Sequence, residues 1–131
     1  MKRIAAFVVS MALAVPGFAA TTHSSHESAE PKAQTLTGEL VDTGCYLAHN
    51  GHGAKHIECA TKCVNNGMPM GLLTKAGVLY LITMDHDNAD PYNNLKEMVG
   101  KTVSVTGPVV ARSGMKGIEV TAFKAAESAS K

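Results

Sequence analysis

The chain contains no tryptophan and only three tyrosines and three phenylalanines among its 131 residues. Proteins that bind single-stranded nucleic acid stack bases on aromatic side chains, so this scarcity argues against such a function. An excess of positive charge is also missing, because twelve lysines and arginines stand against eleven aspartates and glutamates. A protein that follows a phosphate backbone carries a basic surface. We therefore predict no nucleic-acid partner.

No apolar run in the sequence approaches the roughly 20 residues that a membrane-spanning helix needs. The mostly apolar residues 4–15 follow Lys2 and Arg3 and precede Pro16-Gly17 and small residues. This order is typical of a secretory signal peptide. Cleavage after Ala19 would place the small Gly17 at the third position before the cut. We predict a signal peptide over residues 1–19 and a periplasmic or secreted protein without a membrane span.

The predicted mature chain divides into a polar leader, one folded domain and a short tail. Residues 20–34 are rich in Ser and Thr and have no apolar periodicity, so we expect a disordered leader. Residues 35–124 are enough for one modest core, and residues 125–131 form a predicted disordered tail. We expect a monomer whose partner is an unknown protein or small ligand.

Alternating apolar residues and turn signals predict a small, mainly β protein. The predicted strands lie within residues 35–47, 71–83 (two strands joined at Lys75-Ala76-Gly77), 101–112 and 118–123. Gly38, inside the first segment, is typical of a strand that bends at a barrel corner. Helices are predicted over residues 54–66, between strands one and two, and 92–99, between strands three and four. This is the order of the five-stranded OB barrel, with a Cys/His-containing helical insertion between its first two strands.

Four segments, GELVDTGCYL, HIECATKC, NGMPMGLLTKAGVLYLIT and GKTVSVTGPV, carry a resemblance to known proteins. The chain resembles small exported bacterial OB-fold-like proteins of unassigned function. The resemblance extends from Gly38 to about Val120, and it implies an OB-like barrel outside the cytoplasm. It implies no particular chemistry.

Familiar catalytic motifs are missing from the sequence. It has no Gly-x-Ser-x-Gly elbow, no phosphate-binding glycine loop and no His-Glu-x-x-His pair. It also has no Cys-x-x-Cys, which argues against a thioredoxin-like dithiol, and no Cys-x-x-Cys-His for covalent haem. We predict no catalytic residues and no enzyme activity.

All three cysteines of the chain lie in one segment, CYLAHNGHGAKHIECATKC, which runs from Cys45 to Cys63. On a helix, His56, Cys59 and Cys63 would fall within about 60° of one another, because each residue advances the helix by about 100°. The rise of 1.5 Å per residue would leave His56 about 10 Å from Cys63. Cys59 must therefore take part in any pairing on a regular helix.

Cys45, predicted at the end of the first strand, can fold back toward the helix face that carries His56, Cys59 and Cys63 and complete a metal site. Cys45, His56, Cys59 and Cys63 then form a Cys₃His set that suits tetrahedral Zn²⁺. Cu(I) is the alternative ion, because thiolates and thioethers are soft ligands. The spacing C-x10-H-x2-C-x3-C lacks the paired Cys-x-x-Cys units of common zinc sites.

A disulfide is the competing interpretation, since exported proteins usually oxidise their cysteines. Cys45 can pair with either Cys59 or Cys63, closing a loop of roughly 15 to 19 residues that stabilises the fold by about 3 kcal/mol. One thiol remains in either case. It is explained by a metal, a partner thiol or simple burial.

Several other polar and sulfur-containing residues are secondary candidates. Asp42, close to Cys45, could stabilise a nearby cation, orient a histidine through its second nitrogen or lie on the outer face of its strand. The secondary metal ligands are His49, His52, Met68 and Met70, with loop solvation or core packing as their alternatives. Met84, His86, Asp87 and Asp90 form a weaker set that also suits a turn, and His23 and His26 lie in the leader.

Three functions are compatible with these features. The first is an exported OB-like binding domain whose Cys/His segment binds a soft or borderline metal ion or carries a disulfide. The second is a protein dedicated to handling copper or zinc. The third is a thiol-dependent redox protein whose spare cysteine attacks a partner disulfide.

Overall fold

A computed structural model describes residues 31–126, and within them the chain forms six β-strands and three α-helices. The strands are β1 (Ala33–Asp42), β2 (Met70–Thr74), β3 (Leu79–Met84), β4 (Thr102–Arg112), β5 (Met115–Val120) and β6 (Ala122–Ala125). The helices are α1 (Thr43–His49), α2 (Ile57–Asn65) and α3 (Asp90–Leu95), with 3₁₀ turns at Ala54–His56 and Lys96–Met98. The predicted signal peptide, residues 20–30 of the predicted leader and the residues after 126 lie outside the described part of the chain. The last two residues of the predicted leader, Ala33 and Gln34, belong to β1.

Five of the strands close into a barrel. β1 pairs antiparallel with β2, and β2 pairs antiparallel with β3. β3 runs parallel to β5, β5 pairs antiparallel with β4, and β4 returns antiparallel to β1. β6 follows β5 after Thr121 and extends the pairing along β4. The predicted mainly β fold, a five-stranded OB-like barrel with a helix between strands three and four, is confirmed.

The core fills the inside of this barrel with aliphatic side chains. The alternation of β1 turns Leu40 inward, opposite Leu72 of β2. Fully buried residues from four strands and α3 complete the cluster: Leu40, Met70, Leu72, Leu95, Val103, Val105, Ile118 and Val120. Ala60 and Val64 on the buried side of α2 also belong to it. The core therefore fixes α2 against the barrel and leaves the opposite face of that helix for other roles.

Gly38 lies where β1 passes from one neighbour to the other. It pairs with Thr74 of β2 and with Val103 of β4. A Cβ atom at this position would lie 2.5 Å from the carbonyl oxygen of Leu73, closer than real Cβ contacts. The strand can bend here because glycine has no side chain, which agrees with the predicted barrel corner.

Helix α1 is the main difference from the sequence prediction. The first strand does not continue to residue 47 with Cys45 at its end, because β1 stops at Asp42 and the next seven residues are helical. The carboxylate Oδ1 of Asp42 accepts hydrogen bonds from the backbone N–H groups of Gly44 and Cys45, at 2.9 and 3.1 Å. This N-cap begins the helix, and Asn50, in the left-handed region with φ 56°, ends it.

The other two helices agree with the prediction apart from their first residues. The segment predicted over 54–66 is a 3₁₀ turn followed by α2, and Gly67, with φ 99°, follows its end. The segment predicted over 92–99 begins two residues earlier, with Pro91 in its first turn, and ends in a second 3₁₀ turn. None of the helices within residues 31–126 is both long enough and apolar enough to cross a bilayer.

Candidate metal centre

The Cys/His residues converge where α1 meets the start of α2. Cys45 and His49 lie on α1, His56 ends the first 3₁₀ turn, and Cys59 and Cys63 lie one turn apart on α2. Their donor atoms form two groups, each with all three atoms within 4.8 Å of one another. One group is Cys45, Cys59 and Cys63, which we call the thiol group. The other is Cys45, His49 and His56, which we call the histidine group.

The thiol group brings the three cysteines of the chain together. The sulfurs of Cys45 and Cys63 are 4.0 Å apart. Two sulfurs bound at 2.3 Å to one tetrahedral ion lie about 3.8 Å apart, so this spacing suits a shared ion after a small side-chain rotation. Cys45 and Cys63 are partly buried, whereas Cys59 is exposed. The group therefore opens to solvent on the Cys59 side.

The histidine group joins α1, which carries Cys45 and His49, to His56 at the end of the 3₁₀ turn, and it includes the same Cys45 sulfur. The rings of His49 and His56 meet edge to face, with centroids 5.5 Å apart. Nδ1 of His49 is 2.7 Å from the carbonyl oxygen of Cys45. A carbonyl oxygen only accepts, so Nδ1 must carry the proton, and the lone pair of a neutral imidazole is then on Nε2. A backbone contact thus prepares His49 to bind a metal through Nε2.

Asp42 is completely buried next to these ligands. Its Oδ1 caps α1, but its Oδ2 has no hydrogen-bond partner. Nε2 of His56 lies 4.0 Å from Oδ2 and is also without a partner. Among the described residues, these are the two buried side-chain atoms left in this condition. Such atoms call for an explanation, and a cation beside them would supply one.

No family model matches this chain, and no curated protein matches it. The suggested kinship with exported OB-like proteins therefore stays a prediction.

The class of metal ion follows from the donor atoms, which are thiols and imidazoles. These donors suit soft and borderline ions such as copper and zinc, and they do not suit Mg²⁺ or Ca²⁺, which prefer oxygen.

The surroundings of the thiols favour their protonated form. The neighbouring carboxylate of Asp42, followed by burial, raises the pKa of Cys45 to about 12. Burial likewise raises the pKa of Cys63. Because metals bind thiolates, an ion entering the thiol group must displace protons. Binding is consequently expected to release protons to solvent.

All three cysteines are thiols in this structure. The separation of 4.0 Å between Cys45 and Cys63 is about twice the length of a disulfide bond. The predicted disulfide of Cys45 with Cys59 or Cys63 therefore stays a prediction. The sulfur of Cys45 is in hydrogen-bond contact with the sulfur of Cys63.

The secondary candidates fall into different environments. His52 lies near Glu39, with Nδ1 and Oε2 3.4 Å apart, and belongs to neither group. Met68 is partly exposed, and its sulfur is so close to Gly44 that a Cβ there would come within 2.6 Å. Met70 is fully buried in the core. Of the four secondary candidates, His49 is the one that joins a group.

The acidic segment after β3 serves as a turn. The side chain of Asp85 accepts a hydrogen bond from the backbone of Asp87, and the side chain of Asn88 accepts one from Asp90. These contacts match the turn role that was the alternative for Met84, His86, Asp87 and Asp90. His23 and His26 lie outside the described residues.

Sequence reasoning named Asp42 and His49 as secondary candidates, but it did not predict the helix that Asp42 caps and that carries His49. A helical signal was available for both, because Asp is a favoured N-cap and His49 follows Cys45 by four residues. Had α1 been predicted, Cys45 and His49 would have been expected on one helix face. The alternating apolar residues before Asp42 favoured a continuous strand instead.

Proposed function

We propose that the protein is an exported OB-like barrel that binds and hands on a soft or borderline metal ion, Cu(I) or Zn²⁺. The ion would be held by Cys45, Cys59 and Cys63. One observation carries this proposal: sulfurs from two separate helices, α1 and α2, lie within 4.8 Å of one another. Export rests on the predicted signal peptide.

Cu(I) is the ion that the thiol group favours. Three thiolates satisfy a soft monovalent ion, whereas Zn²⁺ requires a fourth ligand. His56, the fourth ligand predicted for zinc, lies within reach of Cys45, but it is grouped with His49 and not with Cys59 and Cys63. A Cys₃His zinc site would therefore need His56 to move toward α2.

Handling of the ion is favoured over a purely structural role. Structural metal sites are closed by their ligands. Here Cys59 is exposed, so another molecule can reach its sulfur and exchange the ion. The barrel also has its own aliphatic core, which does not include the cysteines.

The test is native mass spectrometry of the protein purified from its own compartment, without chelator, and after anaerobic addition of Cu(I) or Zn²⁺. We expect a bound ion with three unoxidised thiols. Replacing both α2 cysteines, Cys59→Ser with Cys63→Ser, should abolish binding of Cu(I) to the thiol group. His52→Ala is the matched control, because His52 lies in the same segment but outside both groups. Reduced, folded protein that retains no ion would refute the proposal.

A thiol-disulfide function is the second candidate, and the closeness of all three sulfurs, within 4.8 Å of one another, favours it. In this case the exposed Cys59 thiolate attacks a partner disulfide, forms a mixed disulfide and releases the partner's other sulfur as a thiolate. Cys45 or Cys63 then attacks the mixed bond at Cys59 and frees the partner in reduced form. Purified protein lacking two hydrogen atoms and any ion, together with a trapped mixed disulfide at Cys59, would favour this function over metal handling.

A further inference from the structure

We infer that Cys45 is a shared ligand whose thiolate bridges two metal ions, one bound with Cys59 and Cys63 and the other with His49 and His56. This inference rests on the proposed metal-binding function and extends it from one ion to two. It follows from an unusual arrangement, in which two groups of three donor atoms have a single sulfur in common.

Distances make it difficult for one ion to use all five residues. Two ligands of one ion can be separated by at most twice the bond length, which is about 4.6 Å for zinc and sulfur. Each group, with its donors within 4.8 Å of one another, comes close to this limit. Cys45 belongs to both groups, but neither histidine is grouped with Cys59 or Cys63. Five donors arranged in this way therefore match two ions, and a thiolate has enough lone pairs to bind both.

The histidine group carries independent signs of a ligand. The contact of His49 Nδ1 with the Cys45 carbonyl leaves Nε2 available as an electron-pair donor. Nε2 of His56 is buried and has no hydrogen-bond partner. Burying a ring nitrogen without a hydrogen-bond partner or a bound ion costs free energy.

Asp42 supplies the charge that a second cation needs. Its side chain is completely buried, and its Oδ2, 4.0 Å from His56 Nε2, has no hydrogen-bond partner. One ion on three thiolates does not explain why an acidic side chain is buried on the histidine side. A divalent ion held by two imidazoles and a bridging thiolate does, because the carboxylate would offset its charge.

The two positions suit different ions. Three sulfurs favour soft Cu(I), whereas two imidazoles and one thiolate suit a borderline divalent ion such as Zn²⁺. Co²⁺ can replace Zn²⁺ in such sites and is visible by absorption and electron paramagnetic resonance. It is therefore the probe that distinguishes two ions from one.

The first experiment measures stoichiometry. The exported protein is titrated with Zn²⁺ or Co²⁺ under reducing, anaerobic conditions and examined by native mass spectrometry. With water as the fourth ligand at each position, we expect two ions per chain for the wild type and one for the pair His49→Ala/His56→Ala. One ion is also expected for Cys59→Ser/Cys63→Ser, and His52→Ala should retain two. Circular dichroism of each variant establishes that the barrel is folded.

The second experiment tests the bridge itself on the wild type. Two Co²⁺ ions joined by one thiolate couple magnetically, so the paramagnetic signal per ion should fall as the second ion binds. Cys45→Ser should lose both ions, because each group would keep only two strong donors. If the wild type binds one ion at saturation, the bridge is refuted and the proposed function survives. Binding of no Co²⁺ refutes the bridge, and it refutes the proposed function as well if Cu(I) is also not bound. Two Co²⁺ ions with an unchanged signal per ion refute the shared sulfur.

Discussion

At the residue scale, Asp42 performs two tasks with its two carboxylate oxygens. Oδ1 caps α1 through the N–H groups of Gly44 and Cys45, and Oδ2 lies beside His56. The capping contact contributes to folding, whereas the unpartnered oxygen faces the candidate metal centre. The two contributions can be separated by substitution.

Asp42→Ala should lower the free energy of unfolding of the metal-free protein by about 1 kcal/mol through loss of the N-cap. Asp42→Asn keeps an acceptor oxygen, so it should retain most of that stability while weakening metal binding through loss of the negative charge. Urea denaturation and metal competition measure the two effects. Equal loss of stability in both variants would show that the cap is not what Asp42 contributes to the fold.

The three thiols should differ in reactivity when no metal is bound. Cys59 is exposed, whereas the neighbouring carboxylate of Asp42 and burial raise the pKa of Cys45 to about 12. Only the thiolate reacts with an alkylating reagent. We expect iodoacetamide to modify Cys59 first and Cys45 last at pH 8, as mapped by peptide mass spectrometry.

The same raised pKa predicts the direction of the pH effect. A thiol whose pKa is higher in the folded state than in the unfolded chain favours folding while both states keep the proton. That contribution is lost as the pH rises from about 9, the ordinary value, toward about 12. Labelling of Cys45 should accelerate over this range. Labelling of Cys45 as fast as Cys59 at pH 8 would contradict the assignment.

At the scale of elements, the histidine group depends on the turn between α1 and the following 3₁₀ segment. Gly51 lies in this turn, and its N–H donates to the Cys45 carbonyl at 3.1 Å. A Cβ atom here would come within 2.7 Å of Nε2 of His56 and 3.1 Å of Cβ of Cys45. The absence of a side chain lets the histidine approach Cys45.

Gly51→Ala should therefore weaken binding at the histidine group by at least about tenfold, the usual effect of displacing a metal ligand through its neighbours. Binding at the thiol group should change less. A titration against a chromophoric chelator measures both. Gly117→Ala is the matched control, because a Cβ at that glycine meets the nearest atoms at an ordinary 3.4 Å. Equal affinities for the two variants would remove Gly51 from this role.

Helix α1 shows where local patterns were insufficient. Alternation in β1 correctly predicts the inward-facing Leu40, and the same pattern extended across Asp42 predicts a strand where the chain is helical. Asp42 favours an N-cap as well as a turn, and the choice depends on its burial against the barrel. By contrast, α2 was predictable, because its apolar residues and terminal Asn-Gly act locally.

At the scale of the whole molecule, a bound ion would join elements that are distant in sequence. Cys45 follows β1, whereas Cys59 and Cys63 lie on α2, which packs on the barrel core through Ala60 and Val64. A ligand that binds only the folded state stabilises it by about 2.7 kcal/mol at 100 times its dissociation constant. The barrel core itself does not include the cysteines.

Removal of the ion by a chelator should therefore lower the melting temperature without unfolding the protein at room temperature. For a domain of this size, about 2.7 kcal/mol corresponds to roughly 10 to 20 °C. Thermal unfolding followed by circular dichroism, with and without chelator, measures the shift. Cys45→Ser should show no response to the chelator. Loss of the β spectrum on chelation at room temperature would mean that the barrel depends on the ion.

The sequence by itself determined the order of strands and turns, the helix after β3 and the segment that holds the candidate ligands. These features depend on residue periodicity and turn chemistry, which act over a few neighbours. The tertiary structure decided that Cys45 and His49 share a helix, that Cys45 joins two groups and that Asp42 is buried. Those outcomes depend on how α1 and α2 are placed beside β1, which brings together side chains up to 18 residues apart in the chain.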